Sequence, residues 1–88
     1  MKFEFSPHAQ KRIKERSISK KLVTNALEFP TRISSDKHGR QLVKKLYTDK
    51  KKARRLLLVA IEITGNIIKI ITVIDTSKIN KYLHEKEK

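Results

Sequence analysis

Cysteine and tryptophan are missing from this chain, and glycine and proline occur twice each. Without cysteine there is no disulfide framework, no thiolate zinc site and no thiol nucleophile. With so little glycine there is no glycine-rich phosphate loop. The three histidines, His8, His38 and His84, stand too far apart in sequence to suggest a metal cage. No Ser-His-Asp order and no metal-spaced carboxylate pair is present, so neither metal nor cofactor is expected. Acidic residues are also scarce, 9 against 22 basic ones, which leaves a net charge of +13. A long apolar run is missing too. The stretch Leu56–Ile74 is interrupted by Glu62, Gly65-Asn66 and Lys69, and its pieces are too short to cross a bilayer as a helix. The segment Met1–Ser6 has no apolar signal core. These absences predict a cytoplasmic protein that does not bind membranes.

What is present fits one domain spanning residues 1–88, with 35% charged and 38% apolar residues. A domain of this size buries only about 60% of its unfolded-chain surface, so a stabilising partner is expected. The charge predicts an acidic one. It is concentrated: residues 37–55 carry a net +8, whereas residues 56–77 carry −1. The cluster is interleaved with Leu42, Val43, Leu46 and Tyr47, which argues for a folded binding surface rather than a basic tail.

The pattern predicts an α+β domain. Ser6-Pro7 is a helix start, with a capping hydroxyl and a proline suited to the first turn. A first helix is expected over about 7–16, with Ala9 and Ile13 buried, and a second over about 19–28, capped by Ser19 and ended by Pro30. The period then changes to alternation. Strands are expected over 31–36, 40–48, 54–64 and 67–76. His38-Gly39 and Asp49–Lys52 form turns, and Gly65-Asn66 a tight hairpin turn. Phe3–Phe5 reads as a short apolar lead-in. The expected architecture is therefore two N-terminal helices on a four-stranded, mostly antiparallel twisted sheet, with a short C-terminal helix as an option. The last two strands are apolar on both faces, so the face opposite the helices needs cover. Residues Ile79–Leu83, a second copy or a partner would supply it.

Two polar constellations stand out. On the first helix, His8, Arg12, Glu15 and Arg16 follow one another at helical spacing near an anion-favouring N-terminus. His8 has the side chain suited to proton transfer near neutrality. The same residues also fit a capping-turn histidine beside a surface ion pair. On the strands, Lys44, Lys45 and Tyr47 are expected to converge on Arg54 and Arg55 across a turn that contains Lys51 and Lys52. Such crowding suits either a polyanion or a repulsive sheet edge. No acidic residue is expected on this face. Thr72 is expected to share a face with Ile70 and Ile74. Lys81 belongs to a basic, aromatic tail with Tyr82 and His84. This inventory of His, Arg, Lys, Tyr and Thr matches metal-free RNA cleavage by the substrate's own 2′-hydroxyl.

The segments Phe5-Ser6-Pro7-His8-Ala9-x-x-Arg12-x-x-Glu15-Arg16-x-Ile18-Ser19 and Ala26-Leu27-Glu28-x-Pro30 resemble the N-terminal signature of a family of small uncharacterised bacterial and archaeal domains. Arg54–Val59 and Ile68–Val73 also look like theirs. That family is similar in plan to RelE/ParE-type toxins and to the metal-independent ribonucleases that include barnase and the colicin ribonucleases. The resemblance implies a toxin-like ribonuclease acting on RNA, free or on the ribosome. It also implies an antitoxin, or a second copy, over the open sheet face. His8, Arg12, Arg54 and Thr72 would be catalytic. Arg16, Lys44, Lys45, Tyr47, Lys51, Lys52, Arg55 and Lys81 would hold RNA. The alternative is a non-catalytic nucleic-acid-binding or protein-interaction module of the same plan.

Overall fold

The computed structural model describes residues 2–35 and 39–83. His38, His84 and the end of the first expected strand at Asp36 lie outside the described residues.

The chain begins with a strand, β1 (Lys2–Phe5), and continues into helices α1 (Pro7–Glu15) and α2 (Lys20–Glu28). Four further strands follow, β2 (Arg32–Ser35), β3 (Arg40–Thr48), β4 (Arg54–Thr64) and β5 (Ile67–Thr76), and then a short helix, α3 (Ile79–Leu83). The sheet has five strands in the order β1-β5-β4-β3-β2. It is mixed, because β1 runs parallel to β5 while all other neighbours are antiparallel. This corrects the expected four-stranded, mostly antiparallel sheet under two helices. The lead-in Phe3–Phe5 belongs to an edge strand, and the optional C-terminal helix is present as α3, the third short helix among the described residues. A parallel partner carries no adjacent turn signal. Residues 2–5 find β5 only after two helices and three strands have intervened.

The local signals explain the helices. Ser6 accepts a hydrogen bond from the Ala9 N–H at 3.1 Å and donates its hydroxyl to the Ile71 carbonyl at 2.7 Å, tying the start of α1 to β5. At the other end the Ile18 N–H reaches the Ile13 carbonyl at 2.9 Å and Ser17 takes φ +54°. This is a Schellman closure, with Ile18 packed in the same cluster as Ile13. Ser19 then caps α2 through the Leu22 N–H at 3.0 Å.

Alternation along the strands makes two cores. α1 and α2 cover one face, where Ala9, Ile13, Val23 and Ala26 pack on Val43, Leu57, Val59, Ile61, Ile70 and Val73. α3 lies over the opposite face, where Leu83, Ile79 and Tyr82 meet Leu42, Leu46, Leu56 and Leu58. Two cations hold its C-terminal end. Lys44 is only 3% exposed, and its ammonium donates to the Tyr82 carbonyl at 2.6 Å. Arg32, its cross-strand neighbour, donates to the Leu83 carbonyl at 3.2 Å. Positive groups at a helix C-terminus meet both its unpaired carbonyls and the negative end of its dipole.

A register shift in the β4–β5 ladder at Ala60/Ile61 corrects the expected phase of the last strand. Ala60 pairs with Thr72 and Ile61 with Ile70, so Ile71 is the extra residue of a β-bulge. Ile70 and Val73 therefore both join the helix-side core, while Thr72 shares the other face with Ile74 and not with Ile70.

Candidate functional site

The floor of the candidate site is built by three strands at the end of the sheet near the α1–α2 connection. Tyr47 on β3 pairs with Arg55 on β4, and Asp75 on β5 pairs with Leu57 two residues further along β4. All three side chains belong to the helix-side face. The Tyr47 hydroxyl donates to Asp75 Oδ1 at 2.6 Å, and Arg55 Nε reaches both carboxylate oxygens at 3.0 Å. The ion pair is largely shielded, with Arg55 and Asp75 side chains 28% and 16% exposed. Burial, followed by the hydrogen bond to Asp75 and its negative charge, pushes the Tyr47 phenol up to about 12. The bond to Asp75 raises the Arg55 guanidinium further above its already high range.

Above this floor lies an open groove of about 800 Å³. Arg16, Ser17, Ile18, Ser19 and Leu22 form one wall, and residues of the β3–β4 turn, including Asp49, Lys50, Lys51 and Ala53, form the other. Each wall turns through a non-glycine residue in the left-handed region, Ser17 at φ +54° and Lys52 at φ +62°. The turn is closed by Asp49, whose Oδ1 accepts from the N–H groups of Lys51 and Ala53 at 2.9 Å each.

The basic hairpin divides its charge according to alternation. Lys45, on the helix side, donates to the Phe29 carbonyl at 2.7 Å. Lys44 is buried beneath α3 on the far side, so it does not converge with Arg55. Arg40 sits opposite Glu62 at 3.9 Å. Lys50, Lys51, Lys52 and Arg54 stand exposed at the hairpin tip. Of the residues singled out in the sequence, Arg16, Tyr47, Lys51 and Arg55 meet at the groove. His8 and Arg12 lie on α1 and are not among its lining residues. His8 precedes Arg16 by eight positions, about 12 Å along a helix. Arg54 and Thr72 lie on the α3 side of the sheet, as does the exposed Lys81 on α3 itself. The four residues assigned catalysis therefore fall on two opposite faces.

Asp75 is the residue that the sequence reading missed, and it supplies the carboxylate expected to be lacking on the basic face. The bulge hid it. Counting alternation from Ile70 puts Asp75 on the far side, whereas the extra residue Ile71 turns it to the helix side, beside Tyr47 and Arg55. A polyanion was one expected way to relieve crowding of Arg55, but the chain's own Asp75 fills that role. Among the described residues, no three His, Asp or Glu side chains are grouped so as to hold a metal ion.

A family model described as a domain of unknown function, DUF4258, matches residues 5–75. The chain belongs to this family. The DUF4258 match runs from the last residue of β1 to Asp75, so it includes both helices, both groove walls and all three residues of the floor. α3 lies beyond it. No curated protein and no solved structure matches the chain significantly.

Proposed function

We propose that the protein is a metal-independent ribonuclease of the toxin type, and that RNA is cut in the groove above Tyr47, Arg55 and Asp75. The observation that carries this reading is the Tyr47–Asp75 hydrogen bond of 2.6 Å, at the floor of a groove rimmed by cations. A phenol raised to about 12 does not ionise by itself near neutrality. It acts as a base only by passing its own proton onward, and Asp75 is placed to take it. In the proposed step the RNA 2′-hydroxyl gives its proton to the Tyr47 oxygen as the Tyr47 proton moves to Asp75. The 2′-oxygen bonds to phosphorus, the bond from phosphorus to the 5′-oxygen breaks, and the leaving oxygen takes a proton from the Lys51 ammonium. Arg55 and Arg16 balance the charge that grows on the phosphorane oxygens. The products are a 2′,3′-cyclic phosphate and a free 5′-hydroxyl.

No metal enters this step, so cleavage of single-stranded RNA is expected in EDTA and its products should carry cyclic phosphate ends. Asp75→Asn and Tyr47→Phe should each lower the rate by roughly 10²–10⁴-fold, as loss of a general base does. Cleavage that vanishes in EDTA or survives both substitutions refutes the assignment. Binding without cleavage is the second reading. It is favoured by the placement of His8, the residue best suited to proton transfer at neutral pH, outside the groove. An acidic partner protein belongs to the same proposal, but α3 already covers part of the sheet face that it was expected to close. Among the described residues no helix is long and apolar enough to cross a membrane.

A further inference from the structure

The groove has a property that phosphate binding does not require. Between its cationic rims it presents apolar and aromatic surface: Ile18 and Leu22 from the α1–α2 side, Ala53 from the hairpin side, and the Tyr47 ring. Leu22 and Tyr47 pack against the helix-side core yet are only partly buried, and both line this space. Contacts to the sugar-phosphate backbone come from cations, hydroxyls and amides and draw nothing from apolar surface. At about 800 Å³, the opening falls within the range of about 300–1,000 Å³ typical of clefts that enclose a small ligand. The charges sit on opposite walls, Arg16 on one and Lys51 on the other.

We infer that the groove takes one unpaired nucleotide of a single strand, its base laid against Leu22 and the Tyr47 ring and its flanking phosphates held by Arg16 and Lys51. The inference rests on reading the groove as a nucleic-acid site. It adds a requirement that the bound nucleotide be unstacked and unpaired. In a duplex the base faces are stacked on their neighbours, and A-form grooves expose only edges, so a paired strand cannot fill the slot. Leu22 then becomes a specificity-determining residue that takes no part in proton transfer.

The test is fluorescence-anisotropy binding with a short 2′-O-methyl RNA, which lacks the attacking hydroxyl, as a single strand and annealed to its complement. The single strand should bind at least about tenfold more tightly, the usual scale of one base–aromatic stack. Leu22→Ser should bring it close to the duplex affinity, and Leu22→Met, which keeps the apolar surface, should not. Arg16→Gln should weaken both forms and flatten the salt dependence by about 0.7–0.9 in log–log slope. Tyr47→Phe separates the two proposals: it keeps the ring, and so the preference, while removing the hydroxyl required for cleavage. Tyr47→Leu should lose the preference as well. Equal affinity for single strand and duplex overturns the inference whatever the cleavage assay shows. So does a preference unchanged in folded Leu22→Ser and Tyr47→Leu proteins.

Discussion

Tyr47 carries two measurable consequences of its position. Its phenol is neutral in the fold up to about pH 12, whereas in the unfolded chain it ionises from its ordinary value of 10.0. The folded value is the raised one, so the stabilisation is complete below pH 10 and is lost as pH climbs from 10 to about 12. Absorbance titration near 295 nm should show a phenol with a midpoint of about 12 that is missing in Tyr47→Phe. The stability difference between the two proteins should shrink over the same interval. Asp75→Asn removes the charge that Arg55 and Tyr47 share, and it should cost about 1–3 kcal/mol in urea unfolding. Ser17 makes a further prediction. It holds a left-handed conformation that costs a side-chain-bearing residue roughly 1 kcal/mol, so Ser17→Gly should raise stability by up to about that amount. A destabilised Ser17→Gly protein would contradict the helix closure described here.

At the scale of elements, Ser6 ties the start of α1 to β5, and α3 is held by apolar packing together with two cationic side chains at its C-terminal end. Ser6→Ala removes both the α1 cap and the bond to the Ile71 carbonyl, and should cost about 1–2 kcal/mol. Lys44→Met should leave the apolar packing under α3 intact while removing the bond to the Tyr82 carbonyl. Global stability should then change by no more than about 1 kcal/mol. Amide exchange within Ile79–Leu83 should become faster. Unchanged exchange there would show that apolar contacts alone hold the helix. These elements also show what the sequence makes legible. Ser6-Pro7, Ser19, Pro30 and Gly65-Asn66 are local signals, acting through caps and turns within a few residues, and the helices and the strands β3, β4 and β5 follow from them. β1 and the bulge at Ile71 are not local. β1 is defined by a parallel partner more than sixty positions away, and the bulge by an irregular pairing with β4. The site inherits this division. Arg16, Tyr47, Lys51 and Arg55 stand out by residue type and charge. Asp75 becomes part of the site only once the bulge sets its face.

For the whole molecule, the net charge of +13 proves to be unevenly committed. Within the basic hairpin, Arg40, Lys44, Lys45 and Arg55 are bound to other parts of the chain, while Lys50, Lys51 and Lys52 stand exposed at the tip, where Lys50 and Lys51 line the groove. The charge thus partly holds the fold together and partly gathers as an exposed cationic patch at the hairpin tip. Replacing Lys50, Lys51 and Lys52 together by glutamine should leave the fold intact and weaken RNA binding most at low salt. The proposed chemistry belongs to the Tyr47–Asp75–Arg55 floor and not to His8 on the far part of α1. Cleavage of single-stranded RNA in EDTA, compared among the unaltered protein, His8→Ala and Asp75→Asn, tests it most directly. Cyclic-phosphate products are expected at nearly unchanged rate with His8→Ala and almost none with folded Asp75→Asn. Loss of cleavage in His8→Ala with full activity in Asp75→Asn would contradict it.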